Sequence, residues 1–327
     1  MVKFKHVLAL TLSLSSGAAL ADYNTLIVLG DSLSDTGNGA AITGGVAPGT
    51  PTGRASNGPV GVEYLAAQLG ISGFRASALG GTNHAVFGAT TGVANFSYLS
   101  DQPTGASGFP ALATTGLQSQ LANVSIPFNP SSTLFTIWGG ANDIFLADIN
   151  GDDLALAAGA AVQNLVGLMA GALGLGAQHL LIVGMPDLGL SPLAIERGPL
   201  AQAGLSLLAG QFNDALEMAV DQLAMASGAR FMFFDPTEIS ALIVADPGAL
   251  GFSNITDQCI LSPTALATNC AGYAFIDEVH PSTAVHALFA TGMLAAIDEP
   301  ATGSLLIFSA AMLLAASRRR VAVKPVL

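Results

Sequence analysis

The sequence predicts an α/β fold in which helices cover both faces of a mostly parallel sheet. Short apolar runs rich in β-branched or aromatic residues recur at 25–29, 83–87, 133–138, 179–184 and 230–234. An Ala- and Leu-rich segment with few breakers at 152–173 and a second helical segment at 199–227 lie among them. Strands that alternate with helices in this way build a parallel sheet buried on both sides. No internal repeat and no linker interrupts the order, so the alternation belongs to one domain. At 327 residues, 51% hydrophobic and 10% charged, the chain has ample material for a core and no signature of disorder.

The first run ends at Gly30, and Asp31 and Ser32 follow directly. In open α/β sheets the carboxyl ends of the strands line the ligand crevice, so Ser32 is placed as an exposed nucleophile. The competing reading is a helix cap, a common use of Ser and Asp. Residues 37–59 are dense in Gly, Thr, Ala and Pro and read as a surface loop, in which Arg54 and Asn57 serve structural hydrogen bonds. Val62, Leu65, Ala66 and Leu69 then recur at helical spacing, and Gly70 stops that helix.

The run at 83–87 ends at Gly88, which lies among Gly80, Gly81 and Gly92. His84 falls within the strand pattern and reads as a strand residue. Residues 93–130 form an irregular insertion around a short helix, where a substrate-covering lid would fit. The strand at 133–138 delivers Gly139-Gly140-Ala141-Asn142-Asp143. An Asn amide at a strand end can point an N–H at a developing oxyanion without adding a charge; a plain Asn-Asp turn is the alternative. Near the end stands Asp277-Glu278-Val279-His280-Pro281. Its short spacing lets a carboxylate of the same turn hold one imidazole nitrogen and leave the other free. His286 falls on the following helix, away from this group. An exposed Ser, a His with a nearby carboxylate and separate amide donors are the parts needed for acyl transfer.

The stretch GDSLSDTGN at 30–38 resembles the first motif of the GDSL hydrolases, the SGNH group of serine esterases and lipases. Three further motifs follow in that family's order: Gly88, Gly140-x-Asn142-Asp143, and Asp277-x-x-His280 followed by Pro281. The segment at 52–70 resembles the lecithinase and haemolysin branch. The resemblance implies a three-layer α/β/α sandwich with a central, mostly parallel five-stranded sheet of flavodoxin-like order. It implies Ser32 as nucleophile, His280 as base and Asp277 as its orienter, with Glu278 the substitute. The oxyanion hole would comprise the N–H groups of Ser32 and Gly88 and the side chain of Asn142. No metal or organic cofactor is required. The implied substrate is a small-molecule or lipid ester, fatty-acyl or phospholipid. Acetyl groups on extracellular polysaccharide are the alternative, and a non-catalytic surface binding protein on the same fold is the reading from another class.

Both ends of the chain read as sorting signals. Lys3, Lys5 and His6 precede an apolar run at 7–14 that closes on Ala19-Leu20-Ala21, the pattern of a secretory signal peptide cut after Ala21. The hydrolase domain then covers 22–297. In 298–327 an apolar run at 305–316 leads into Arg318, Arg319 and Arg320. This resembles the PEP-CTERM sorting signals of Gram-negative bacteria, although Asp298 stands where that motif has its first proline. A single membrane anchor held inside by its arginines is the alternative. Either reading makes the protein secreted or displayed on the cell surface.

Six of the ten basic residues fall in these two segments, which leaves Arg54, Arg75, Arg197 and Arg230 against 22 acidic residues, all between Asp22 and Glu299, so that stretch carries a net charge of −18. Such a surface repels polyanions and excludes nucleic acid as a partner. The two cysteines, Cys259 and Cys270, lie close together, and in an exported protein they read as a disulfide. That bridge contributes roughly 3 kcal/mol in the chain-entropy model. Two thiols without clustered histidines complete no metal site.

Overall fold

Side chains alternate across a strand, and here both faces of each apolar run find a core. Leu26 and Val28 pack in one cluster with Leu134, Leu181 and Met232, while Ile27 and Leu29 pack in another with Phe135, Leu180 and Ile182. The computed structural model describes residues 23–46, 52–100, 106–124 and 128–298. The signal segment expected at 1–21 and residues 299–327 of the C-terminal segment lie outside the described residues.

In chain order the elements are β1 (Thr25–Gly30), α1 (Asn38–Thr43), α2 (Gly61–Gln68), α3 (Phe96–Leu99), α4 (Leu117–Ala122), β2 (Thr133–Trp138), α5 (Ala141–Asn150) and α6 (Leu154–Gly174). They continue with β3 (His179–Val183), α7 (Pro192–Glu196), α8 (Pro199–Ser227), β4 (Arg230–Phe234) and α9 (Pro236–Ala245). The last four are β5 (Asn254–Gln258), α10 (Pro263–Ala267), β6 (Tyr273–Phe275) and α11 (Thr283–Asp298).

β1, β2, β3 and β4 form a parallel sheet in that order, in register from Thr25 opposite Thr133 to Val183 opposite Phe234. One face carries α2, α9 and α11, and the other carries α4, α5, α6 and α8. This is the three-layer α/β/α sandwich.

The expected strand at 83–87 takes a different form. Residues 82–86 run parallel to the free edge of β1, with Val28 N–H donating to Thr82 O (3.2 Å), His84 N–H to Val28 O (2.8 Å) and Val86 N–H to Gly30 O (3.1 Å). Only single bridges result. The outward N–H groups go elsewhere: Asn83 to Arg75 O, Ala85 to the side chain of Asn83, and Phe87 to the carboxylate of Asp35. The sheet is thus four regular strands with 82–86 as an irregular fifth row, and its outer edge is blocked against further pairing. With that row counted, the spatial order is 2-1-3-4-5. The order reverses between β1 and β2, where an open α/β sheet presents its ligand crevice.

The Ala- and Leu-rich composition of 152–173 predicts a buried helix, yet α6 buries only one face, through Ala161, Leu165, Leu168, Met169 and Ala172, while Leu156 is exposed. Asp153 caps its first turn by accepting from Ala155 and Leu156 N–H. α6 is long and apolar enough to cross a membrane by length and composition, but its apolar face packs against the sheet and α8. β5 and β6 form a separate two-stranded parallel sheet. Cys259 and Cys270, joined as a disulfide with Cα atoms 5.6 Å apart, hold the connection between them.

Candidate active site

The chain leaves β1 through a tight turn. Ser34 and Asp35 N–H both donate to Asp31 O (3.1 and 2.9 Å), and Leu33 N–H donates to Asp31 Oδ1 (3.0 Å). Ser32 therefore sits on the turn at the carboxyl end of β1, and no helix starts on it. α1 begins six residues later, and its orphan N–H groups go to Asp35, not to Ser32. The capping alternative for Ser32 is thereby ruled out.

His280 is brought to Ser32 from 248 residues away, with Nε2 2.9 Å from Oγ. Its Nδ1–H donates to Asp277 Oδ2 at 2.7 Å, which leaves the Nε2 lone pair facing the hydroxyl. The other oxygen of Asp277 accepts from Val279 N–H (3.0 Å) and His280 N–H (2.7 Å). One carboxylate thus closes its own turn and orients the ring. The loop is further fixed by Ile276 N–H donating to His280 O and Ser282 N–H to Ala274 O, at 2.9 and 2.8 Å. Glu278 is exposed and makes no contact with the imidazole nitrogens, and its backbone carbonyl accepts from Leu193 N–H.

Desolvation in the cleft pushes the His280 imidazole down, but the Asp277 carboxylate, helped by Asp31 and Glu278, more than reverses this and raises it above its ordinary value. For Asp277 desolvation pushes the acid up, and the facing imidazole with the two N–H donors holds it below the usual carboxylate range. Asp31, 2% exposed, is pushed up to about 7 by burial, against the opposing pull of Leu33 N–H and His280.

Gly88 follows the edge row and lines the same cavity as Ser32. Two facts require glycine: its φ is +73°, and a Cβ would come within 2.4 Å of Ser97 Oγ and 2.6 Å of Asn95 Oδ1. Gly80 and Gly81 pack instead against Arg75, and neither they nor Gly92 reach the cavity.

Asn142 is in the first turn of α5, not on a strand end or in a simple Asn-Asp turn. Gly140, at φ +127° with Phe212 and Met185 closing in behind it, lets the chain pass abruptly from β2 into that helix. One N–H of the Asn142 amide donates to Ala89 O at 3.0 Å. The amide has a second N–H, and its residue borders the cavity. His84 and His286 stay outside this group. His286 is fully buried, its Nδ1 accepts from Gly61 N–H, and burial pushes it down to about 3.

Several site residues have roles that the sequence did not assign, two of them, Asp35 and Asp143, inside the motifs quoted above. Asp35 receives four backbone N–H groups, from Gly37, Asn38, Gly39 and Phe87, at 2.7 to 3.0 Å. Asp143 holds Thr91 through its N–H (2.9 Å) and hydroxyl (2.7 Å). With Asn142 on Ala89, three side chains clamp residues 87–91 to the loop after β1 and to the first turn of α5. Gln120 of α4 brackets Gly30, accepting from its N–H and donating to its carbonyl, both at 2.8 Å. α4 is thus anchored against the end of β1 that leads to Ser32 and is no lid. Of the described residues at 93–130, Phe96 and Ser97 of α3 border the cavity. Arg54 forks onto Glu63, and Asn57 ties Asn269 to Thr283 at the start of α11, as structural roles require.

The cavity holds about 800 Å³ and contains Ser32, Gly88, Asn142, Asp277 and His280. That size is typical of sites for small organic ligands. Its walls are largely apolar, with Phe96, Phe145, Leu188, Ile243, Ile255 and Phe275 among them. Among the described residues no cluster of His, Cys, Asp and Glu is arranged to hold a metal ion.

The model of the GDSL-like lipase/acylhydrolase family matches residues 26–293. The phosphatidylcholine-sterol acyltransferase of Aeromonas hydrophila is 24% identical, over 85% of this chain and 89% of its own length. The thermolabile hemolysin of Vibrio parahaemolyticus is also 24% identical, over 83% of this chain and 63% of that protein. Among solved structures, a catalytic mutant of an acetylxylan esterase from Geobacillus stearothermophilus aligns over 85% of this chain and 95% of its own, at 16% identity and a TM-score of 0.43. A match that runs from β1 into α11 and takes in every loop around the cavity shows that the chain belongs to the GDSL-like lipase/acylhydrolase family and is an ester-bond hydrolase.

Proposed function

We propose that residues 22–297 form an exported serine carboxylester hydrolase that works through a Ser32–His280–Asp277 triad and an acyl-enzyme. The observation that carries this reading is the continuous hydrogen-bonded chain from Asp277 Oδ2 through the imidazole to Ser32 Oγ, at 2.7 and 2.9 Å, in the wall of an apolar cavity. His280 Nε2 takes the hydroxyl proton as Oγ attacks the ester carbonyl carbon, and Asp277 stabilises the imidazolium. The tetrahedral oxyanion is received by the N–H groups of Ser32 and Gly88 and by the Asn142 amide. Collapse breaks the ester C–O bond, and His280 returns the proton to the departing alcohol. Water, deprotonated by the same imidazole, then attacks the acyl-enzyme, and a carboxylic acid leaves with Ser32 restored. The protein groups complete this cycle without a cofactor.

The favoured substrates are fatty-acyl or phospholipid esters. The apolar walls support this, since an acyl chain gains by burial what an acetyl group cannot. The Aeromonas relative is named for phosphatidylcholine, which points the same way. The basic, apolar and small-residue pattern at 1–21 supports export, and the tail after residue 298 supports sorting to the cell surface.

A panel of p-nitrophenyl acetate, butyrate, octanoate and palmitate, run beside Ser32→Ala, tests the reading. Serine-dependent rates that rise toward the longer chains are expected. Activity confined to acetate would select the polysaccharide acetylesterase, and no activity on any ester would leave a binding protein.

A further inference from the structure

Cations are scarce here, so the placement of each is informative. Among the described residues there are four, Arg54, Arg75, Arg197 and Arg230. Arg54 forks onto Glu63, Arg75 donates to carbonyls of its own loop at Leu79 and Gly80, and Arg230 donates to Ile297 O. Each of these ties the fold together. Arg197, the residue that ends α7, is the one cation among the described residues lining the catalytic cavity.

Its Nη1 donates to Asp148 Oδ2 of α5 at 2.6 Å, and the two side chains remain 42% and 30% exposed. An ion pair this wet is worth about 0–1 kcal/mol, so a ligand of matching charge can exchange into it at little cost. A guanidinium takes a phosphate through two parallel N–H bonds, a stronger match than a single exposed carboxylate contact. Once released, Asp148 is an uncompensated anion in a cavity that two further carboxylates, Asp187 and Glu278, also line. A purely anionic head group would leave that charge unpaired, on a chain that is already strongly acidic. A head group that carries an ammonium next to its phosphate compensates both partners at once.

We propose that Arg197 and Asp148 form a head-group subsite at the cavity mouth that opens its ion pair to accept a zwitterionic phosphodiester, with the phosphate on Arg197 and the quaternary ammonium toward Asp148. This rests on the ester-hydrolase reading of the same cavity and narrows its substrate to zwitterionic phospholipids. No bond is made or broken at the subsite; it selects and orients.

The test uses the full-length protein on detergent mixed micelles of phosphatidylcholine or phosphatidylglycerol with identical acyl chains, with p-nitrophenyl butyrate as the ester that lacks a head group. Wild type is expected to prefer phosphatidylcholine to phosphatidylglycerol by tenfold or more. Arg197→Ala lowers the ratio of phosphatidylcholine to butyrate hydrolysis by about tenfold, and Arg197→Lys restores part of it. Asp148→Asn erodes the preference over phosphatidylglycerol. Equal losses on all three substrates in Arg197→Ala, or an unchanged lipid preference in both variants, would overturn the subsite. Serine-dependent butyrate hydrolysis with no phospholipid hydrolysis in wild type would overturn it too, while the hydrolase reading stands. A wild-type protein inert on every ester would bring down both.

Discussion

The two sides of the cavity are held together in opposite ways. On the floor, buried carboxylates and amides bind backbone: Asp35 takes four N–H groups, Asp143 and Asn142 hold Thr91 and Ala89, and Gln120 brackets Gly30. At the mouth, exposed side chains bind each other, as in Arg197 with Asp148 and Gln258 with Glu196. Backbone groups held by buried acceptors have no solvent to exchange with, and breaking one such bond leaves an unsatisfied polar group worth about 1–3 kcal/mol. Exposed pairs exchange with water or ligand nearly for free. In the mechanism proposed above, the floor stays in place while charge develops on a substrate, and the mouth lets go of itself when a substrate arrives.

Substitutions on the two sides should therefore differ in size and in kind. The largest effect is expected from Asp277→Asn, which removes the charge that orients and supports the imidazole and should lower kcat by about 10⁴ while the fold persists. In the wild type the acid limb of kcat/KM should lie above pH 6.5, because the base has a raised pKa and works only when neutral; in the variant what activity remains should fall away at lower pH. Next comes Asn142→Ala. Loss of one oxyanion donor should cost about 10² to 10³ in kcat with KM little changed, read from steady-state kinetics on a soluble ester.

Asp31→Asn tests the floor through stability. A carboxyl raised by burial to about 7 contributes no penalty below the unfolded value near 4 and weakens the fold progressively as pH rises through this window. The Asn variant keeps an acceptor for Leu33 N–H. It should be more stable than wild type by about 2–4 kcal/mol at pH 8 and nearly equal to it at pH 4, measured by denaturant titration. On the mouth side, replacing Cys259 and Cys270 together by Ser should cost about 3 kcal/mol in the same measurement. Because Ile255 and Phe275 of the stapled strands line the cavity, KM for long-chain esters should rise more than KM for acetate. The smallest step is chain length itself: each methylene that reaches the apolar wall should raise kcat/KM up to about fourfold, until the cavity is full.

Much of the sheet was legible in the residues, because β1 to β4 are short runs whose two faces are both apolar and whose ends carry turn residues. β2, β4 and α8 fall at the expected bounds. The row at 82–86 was legible as extended chain but not as an irregular edge, since that depends on Asp35, distant in sequence, capturing Phe87 N–H. α5 went unread because Asn and Asp suggest a turn, and only the packing of Phe212 against Gly140 shows the chain entering a helix there. β5 and β6 are short and largely polar, so no periodicity announced them. In the site, Ser32, Asp277 and His280 were singled out from their local motifs and meet in one hydrogen-bonded chain. Asp143 and Gln120, and Asp35 in its bond to Phe87, act on backbone 52 to 90 residues away, which no local spacing encodes. At position 88 the sequence suggested glycine for the approach of a substrate; the backbone conformation and the packing of Asn95 and Ser97 behind it already demand glycine on their own.

The most direct measurement is covalent labelling of the native protein with a serine-directed fluorophosphonate, followed by peptide mass spectrometry. The account predicts a single adduct on the peptide that contains Ser32, absent in Ser32→Ala and formed far more slowly in His280→Ala. Folded protein that takes no label, or takes it on another serine at an undiminished rate in His280→Ala, would contradict it.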